Sequence, residues 1–191
     1  MLFKEYLHPD FLILVDNIYA QGFKIAVVGG TVRDYLLGNS NKHDYDCELR
    51  LINVEGGINL LDAFKNLSFG ANWNKEELPF NVIRLNNGYF TVELGLPRIE
   101  KYSNEFSHSN FQAIHHHKID YSQSVLRRDF TINSMMYEFD TSWSFIDPLK
   151  GKKDLENKIL RFCSSDFTKD PVRYLSCLLY TSYAANDSLL L

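Results

Sequence analysis

The chain has 191 residues, of which 45% are hydrophobic and 14% aromatic; this is enough to bury a core and excludes intrinsic disorder. Its net charge of −4 at pH 7 excludes an overall basic excess of the kind that binds RNA by neutralising phosphates. Strong RNA binding would therefore need a surface outside these residues. The three cysteines lack CxxC spacing and the apolar runs are too short for a signal or a membrane span, so we expect no disulfide, no zinc site, no membrane insertion and a reducing cytoplasm.

The first segment predicts a helix, a strand, a tight turn and a second helix. Apolar residues at helical spacing run from Pro9 to Gln21. The apolar run Phe23–Val28 then predicts a strand that ends at Gly29-Gly30. Thr31-Val-Arg-Asp34 has the form of a capping box, so we expect the second helix to begin there and to close at Gly38.

Three more strands and one helix are predicted in the middle of the chain. Polar and apolar residues largely alternate between Tyr45 and Val54, as in a strand with one buried face. Residues 56–68 are typical of a helix. Asn81–Leu85 and Tyr89–Leu96 flank Asn86-Asn87-Gly88, whose glycine suits the positive φ of a tight turn, so these two strands are predicted to form a hairpin.

The second half is less regular. Glu100–Tyr121 is polar and without period, which predicts a loop with one strand around Phe111–Ile114. Ser124–Tyr137 indicates a helix and Trp143–Ile146 a strand. Asp147–Gly151 then indicates a turn that leads into a charged helix.

Two of these features are typical of a site for nucleotide phosphates and a cation. Paired glycines before a helix let a ligand approach the backbone, although tight turns also use glycine for conformation alone. Asp44 and Asp46 are two residues apart in a strand, so both carboxylates leave one face, which suits Mg²⁺. Without further motifs, such a pair is more often a solvated strand edge. Glu93, on another predicted strand, supplies a third carboxylate that could converge on the pair.

The order of the motifs resembles that of a known enzyme family. Gly29–Gly38 followed by Asp44-Tyr-Asp46 is similar to the first signature of class II tRNA nucleotidyltransferases and bacterial poly(A) polymerases, with one additional residue in the spacer. Leu96-Pro-Arg-Ile-Glu100 resembles the segment after the family's third carboxylate strand, which places that carboxylate at Glu93. Arg127-Arg-Asp-Phe-Thr-Ile-Asn133 resembles its ribose and triphosphate motif.

The similarity continues towards the end of the chain. Asp147–Leu155 and Leu160-Arg161 resemble the family's flexible-loop motif. Lys169-Asp-Pro-Val-Arg173 resembles its EDxxR nucleobase motif, with lysine in place of glutamate. Together the matching motifs extend from about Val27 to Leu175.

The resemblance implies a role for each site residue. Asp44 and Asp46 would bind Mg²⁺, and with Glu93 they would be the catalytic carboxylates around two ions roughly 3.5 to 4 Å apart. The residues assigned to nucleotide binding are Gly29, Gly30, Arg33, Arg128, Asp129, Asn133, Asp170 and Arg173. Of these, Arg128 would contact phosphate, Asp129 would lie near the sugar hydroxyls and Asn133 would be an orienting hydrogen-bond partner. Asp170 and Arg173 would read the Watson–Crick edge of C or A in place of a template.

The resemblance also implies the fold and the division of the chain. It predicts an α/β fold, a small mixed sheet of about five strands backed by helices, as in the polymerase-beta-like nucleotidyltransferase head domain. Residues 1–163 would form this head and residues 164–176 the start of a helical neck. Residues 177–191 resemble a translated sequencing adapter, so we exclude them from fold reasoning. On this interpretation the chain is truncated within the neck, which agrees with its lack of a basic surface.

The implied activity is template-independent addition of C, A or CCA to tRNA 3′ ends from CTP and ATP. An RNA 3′-hydroxyl would attack the α-phosphorus and release pyrophosphate, without a covalent enzyme intermediate. A poly(A) polymerase of the same family, or a nucleotidyltransferase acting on a small molecule, stays open because the head motifs do not choose the acceptor. A non-catalytic nucleotide-binding module is the alternative from another class, and the oligomeric state is left open.

Overall fold

The computed structural model describes residues 1–40, 43–53, 59–102, 111–169 and 173. Over these residues the chain forms six helices: α1 (Phe3–Tyr6), α2 (Pro9–Ala20), α3 (Gly30–Leu36), α4 (Leu60–Lys65), α5 (Tyr121–Ser124) and α6 (Gly151–Glu156). It also forms nine strands: β1 (Phe23–Val28), β2 (Asp44–Leu51), β3 (Asn74–Leu78), β4 (Val82–Asn86), β5 (Thr91–Gly95), β6 (Arg98–Tyr102), β7 (Phe111–His115), β8 (Met136–Asp140) and β9 (Ser142–Ile146). The predicted α/β class is confirmed.

Seven strands make one mixed sheet in the order β3-β4-β5-β2-β1-β8-β9, while β6 and β7 form a separate antiparallel pair. In the large sheet only the β2–β5 pair is parallel, and the other neighbouring pairs are antiparallel. The sheet is therefore larger than the predicted five strands. The additional members lie towards its edges, where β3 is exposed and polar and gives little alternating signal.

The main core lies on one face of this sheet. Tyr45 and Leu49 of β2 point into it and pack with Phe11 of α2 and Phe64 of α4, all of them buried. A smaller cluster lies on the opposite face, where Val28 of β1 packs with three other buried residues, Ala26, Val125 and Met136. Strand β1 is thus covered on both sides, and β2 has one buried apolar face, as its alternation predicts.

The predicted hairpin is confirmed. Strands β4 and β5 pair antiparallel, and Gly88 in the connection has a φ of 88°. The Asn87 side chain accepts hydrogen bonds from the backbone N–H groups of Tyr89 and Phe90 at 3.0 and 3.1 Å, which satisfies turn donors and fixes the register of the pair. This register decides which residues of β4 lie beside Glu93.

The predicted helix over Ser124–Tyr137 is wrong. That segment contains the end of α5, two 3-10 turns and the start of β8. The helix is interrupted because Arg128 adopts an extended conformation and Asp129 accepts a hydrogen bond from the backbone N–H of Phe130 at 2.7 Å. A buried phenyl ring at Phe130 then packs on Phe167, so tertiary packing overrides the helical spacing.

Other boundaries also differ. Of the helix predicted over residues 56–68, residues Leu60–Lys65 form α4, and residues 56–58 lie outside the described residues. Val54, the last residue of the strand predicted from Tyr45, also lies outside them. The loop predicted over Glu100–Tyr121 contains the end of β6 as well as the predicted strand, here β7. In the part of the chain that the structure describes, no helix is long and apolar enough to cross a membrane.

Candidate active site

Asp44 and Asp46 lie on the exposed face of β2, opposite the main core. Asp46 is the central member of a row across three strands, with Val28 of β1 on one side and Glu93 of β5 on the other. Both aspartates line two cavities, of about 250 and 460 Å³, on the two sides of β2. As the alternation of β2 predicts, the two carboxylates therefore open on one shared site.

The glycine turn comes directly against this site. Gly29 has a φ of 86°, and a β-carbon placed on it would lie 3.4 Å from both Asp46 Oδ2 and Arg128 Nη1. Gly29 thus allows the backbone to approach a carboxylate and a guanidinium at once. A β-carbon on Gly30 would lie 3.5 Å from Arg33 Nη2.

The predicted capping box is not formed. Helix α3 begins at Gly30 with Gly29 as its N-cap, and no side chain caps it. The Thr31 hydroxyl instead donates to the backbone carbonyl of Asp44 at 2.7 Å. Asp34 accepts from Arg33 Nε and Nη2 at 3.0 and 2.8 Å. Thr31 therefore ties the start of α3 to the strand that carries the aspartates, and this contact is more relevant to the site than a cap.

Two motifs far apart in the sequence meet at Arg33. Its Nη1 donates to Asn133 Oδ1 at 2.8 Å, and Asn133 Nδ2 donates to Asp129 Oδ1 at 3.1 Å. Asn133 is buried, so this chain of hydrogen bonds is shielded from water. It links the glycine-turn motif to the Arg-Arg-Asp motif, which brings four predicted nucleotide-binding residues, Arg33, Arg128, Asp129 and Asn133, to one side of the aspartates.

The two arginines of the second motif differ in environment. Arg128 lies against Gly29, and its guanidinium is 3.4 Å from the position of a β-carbon on that glycine. The Nε of Arg127 is buried; burial and the neighbouring Arg128 and Arg98 lower the pKa of this guanidinium to about 9, so it stays a cation at neutral pH. Arg127 is therefore a half-buried cation next to Arg128.

The surroundings of Asp46 raise the pKa of its carboxyl above the ordinary value. The first cause is that neighbouring groups reduce its solvation; Glu93 and Asp44 then add negative charge, while Arg128 and Arg127 oppose the rise. Asp46 is nonetheless exposed to solvent. A bound cation would stabilise a partly desolvated carboxylate that lies beside other carboxylates.

Glu93 does not complete the three-carboxylate cluster expected from the sequence. It is the register neighbour of Asp46, but its Oε1 accepts hydrogen bonds from Arg84 Nε and Nη2 at 3.1 and 2.8 Å. Within the described ranges, no three His, Cys, Asp or Glu side chains are placed to hold one metal ion. The carboxylates of Asp44 and Asp46, which have no hydrogen-bond or ion-pair partner among the described residues, fit a hard cation, whereas Glu93 as placed does not.

The predicted base-reading pair is only half described, because Asp170 lies outside the described residues. Arg173 is buried at the edge of a third cavity, of about 360 Å³. Its Nη2 donates to the Tyr102 hydroxyl at 2.8 Å and to the Arg127 carbonyl at 2.7 Å, and it lies 3.6 Å from Glu100 Oε2. This cavity is separate from the two that Asp44 and Asp46 line.

Sequence reasoning missed two residues of the site. Arg84 lines the larger of the two aspartate cavities, and Tyr6 of α1 lines the smaller one. The hairpin register places Arg84 opposite Glu93 and is the signal that could have found it. Tyr6 has no comparable signal, because α1 is a single turn held in place by ring contacts such as that of Phe3 with Tyr137.

A family model described as the poly A polymerase head domain matches residues 25–161. This match covers more than half of the chain, so the chain belongs to that family and is a nucleotidyltransferase head domain. The resemblance inferred from the motifs is confirmed.

Individual relatives agree with this class. The multifunctional CCA protein of Haemophilus influenzae (strain PittGG) is 35% identical over 152 residues, which are 80% of this chain and 32% of that protein. A solved structure of a CCA-adding enzyme, apo form II, is 25% identical with a TM-score of 0.65, over 87% of this chain and 38% of that one. A tRNA nucleotidyltransferase complexed with a primer tRNA and an incoming ATP analog is 27% identical with a TM-score of 0.61, over 86% and 43%. The chain thus spans about a third of the length of the curated relative.

Proposed function

We propose that this head domain adds C, A or both to tRNA 3′ ends from CTP and ATP, with release of pyrophosphate and without a template. The observation that carries the proposal is the pair Asp44 and Asp46, whose carboxylates open on two cavities beside Gly29 and Arg128. The names of the relatives, a multifunctional CCA protein and a tRNA nucleotidyltransferase bound to primer tRNA and an ATP analog, support the same substrates.

The nucleotide would be held mainly by charge and by backbone. The approach allowed at Gly29 and the guanidinium of Arg128 suit a triphosphate, since a guanidinium binds phosphate oxygens through two parallel hydrogen bonds. Arg33 and Asn133 would keep Asp129 in place for the ribose hydroxyls through their hydrogen bonds. This cluster orients the α-phosphorus for attack by an RNA 3′-hydroxyl, so positioning and charge provide most of the catalysis.

Asp44 and Asp46 would hold Mg²⁺, which supplies charge stabilisation for the attacking and leaving oxygens when it is bound. The residues present fit this role, because two exposed carboxylates share one strand face and the pKa of Asp46 is raised by reduced solvation and by the nearby carboxylates. Glu93 would orient the incoming hydroxyl, which requires its carboxylate to leave Arg84.

Base selection is proposed for Asp170 and Arg173. An acceptor and a donor three residues apart on one helical turn suit the polar edge of C or A. In the same proposal residues 1–163 are the head and residues 164–176 begin a helical neck. The buried thiols of Cys47 and Cys163 are free, which agrees with a reducing cytoplasm as the proposed compartment.

The Asp44→Ala variant tests the metal assignment. We expect it to abolish incorporation of labelled CTP into tRNA that lacks CCA, because a carboxylate of the cation site is gone, while thermal unfolding stays near that of wild type since Asp44 is exposed. The assay is run on a protein of the length of the relatives. Glu77→Ala, at an exposed acid on β3, is the matched control and should keep activity. Unchanged incorporation by Asp44→Ala would refute the assignment.

A poly(A) polymerase is the second candidate, because the matching family model is itself described as a poly A polymerase head domain. Supplying tRNA without CCA and an oligo(A) primer in parallel separates the two acceptors. A non-catalytic nucleotide-binding module would bind CTP with Mg²⁺ by calorimetry and show no turnover with either acceptor.

A further inference from the structure

A row of charged residues crosses four neighbouring strands on the face that carries the aspartates. The strand registers place Glu76 of β3 opposite Arg84 of β4, Arg84 opposite Glu93 of β5, and Glu93 opposite Asp46 of β2. Neighbouring strands are about 4.8 Å apart, so each side chain can reach the next one in the row. Arg84 is the single cation of this row, and Glu93 has a cation on one side and Asp46 on the other.

The contacts within the row are unequal. Arg84 donates twice to Glu93 Oε1, at 3.1 and 2.8 Å, and once to Glu76 Oε2 at 3.2 Å. The Arg84 side chain is 40% exposed and that of Glu93 is 38% exposed. Exposed ion pairs contribute little stability because water competes for both charges. Arg84 can therefore exchange one anion for another at small cost.

Arg84 also lines a cavity that reaches the aspartates. This cavity, of about 460 Å³, lies on the β5 side of β2 and includes Asp44, Asp46 and Glu93. The cavity on the other side of β2 includes Gly30, Thr31 and Arg33, the cradle proposed for the triphosphate. Phosphoryl transfer needs its attacking and leaving oxygens roughly in line, so the two substrates must approach the α-phosphorus from different sides.

We propose that Arg84 binds a backbone phosphate of the RNA acceptor next to its 3′ end. This inference rests on the proposed transfer to RNA. The phosphate replaces Glu93 on the guanidinium, whose planar fork suits either anion. Glu93, released from Arg84, then has Asp46 and the site of the incoming hydroxyl as its neighbours. Acceptor binding and the freeing of the third carboxylate are thus one exchange of partners.

The proposal is tested by the binding of a labelled single-stranded RNA with a free 3′-hydroxyl, measured by fluorescence anisotropy over a series of salt concentrations. The Arg84→Gln variant should bind about tenfold more weakly at low salt. Its slope of log affinity against log salt should fall by about 0.7, the value for one phosphate contact to a single strand. Its affinity for CTP with Mg²⁺, measured by calorimetry, should not change.

A double-mutant cycle tests the exchange itself. If RNA competes with Glu93 for Arg84, Glu93→Gln should strengthen RNA binding several-fold in the wild-type background and leave it unchanged beside Arg84→Gln. Lys75→Gln is the matched control, because it makes the same change in net charge on β3 at a position paired with Leu85, whose side chain lies in the main core. It should keep the wild-type slope.

Three results would overturn the proposal: no measurable RNA binding by the wild type, equal slopes for Arg84→Gln and Lys75→Gln, or an Arg84→Gln defect in CTP binding with RNA binding intact. Failure of the proposed function looks different. In that case the wild type does not incorporate CTP into tRNA that lacks CCA, whatever the RNA-binding cycle shows.

Discussion

Single residues decide what the glycine turn can hold. Gly29 combines a φ of 86° with two polar side chains 3.4 Å from the position of a β-carbon. The glycine pair itself could be read from the sequence, and so could the shared face of Asp44 and Asp46, because strand alternation is local. The role of Thr31 could not, since its hydroxyl bonds to the carbonyl of Asp44, thirteen residues away along the chain.

Gly29→Ala and Gly38→Ala test this turn. Both glycines have positive φ, 86° and 73°, so each substitution should cost about 1 kcal/mol of folding free energy in thermal or denaturant unfolding. A β-carbon on Gly38 meets nothing within 4 Å, whereas on Gly29 it would contact Asp46 and Arg128 at 3.4 Å and occupy space between the turn and these two side chains. We therefore expect only Gly29→Ala to weaken calorimetric binding of CTP with Mg²⁺. Equal nucleotide affinity in the two variants would show that the turn does not face the ligand.

At the scale of elements, the site depends on a segment whose secondary structure the sequence pattern predicts wrongly. Apolar residues at helical spacing after Ser124 predict a helix, but Arg128 is extended and β8 begins at Met136. The segment is held instead by α6: a β-carbon on Gly151 would lie 2.1 Å from the carbonyl oxygen of Thr131, so the two backbones are in direct contact. Such long-range packing leaves no periodic pattern in the sequence, whereas the turn residues between β4 and β5 predict their hairpin.

Asp154 of α6 is the polar link in this contact, and Asp154→Asn tests it. Asp154 Oδ2 accepts from the Thr131 hydroxyl at 2.7 Å and from Arg161 Nε at 3.0 Å. Burial alone would raise its pKa, but these hydrogen bonds outweigh it and the pKa is lowered below the ordinary 3.8. We expect the variant to lose about 1 to 3 kcal/mol of unfolding free energy at pH 7.

The pH dependence of that loss has a definite sign. A carboxylate with a lowered pKa stabilises the fold fully above pH 3.8 and loses this effect as the pH falls through its folded value. The difference between wild type and Asp154→Asn in denaturant unfolding should therefore be largest at neutral pH and vanish in acid. Asp16→Asn, at an exposed position of α2, should show no such difference. A gap that persists in acid would show that shape rather than charge is responsible.

On the scale of the whole molecule, one face of the sheet builds the main core and the other carries the proposed chemistry. The order β5-β2-β1 brings Glu93, Asp46 and Val28 into one row, and the segment after α5 brings Arg128 against Gly29. The fold class and the membership of the family could be predicted because the motifs are local and ordered. The extent of the sheet and the capture of Glu93 by Arg84 could not, because both depend on which strands become neighbours.

The measurement that tests the central claim most directly is a titration of the protein with the complex of Mn²⁺ and CTP. Binding is detected as an enhancement of the relaxation rate of water protons. Mn²⁺ replaces Mg²⁺ because it is paramagnetic and accepts the same oxygen ligands. The account predicts a clear enhancement with the wild type, at least tenfold weaker binding by Asp46→Asn, and wild-type behaviour from Glu77→Gln. Equal binding of Mn²⁺ and CTP by wild type and Asp46→Asn would contradict the assignment of the aspartate pair as the cation site.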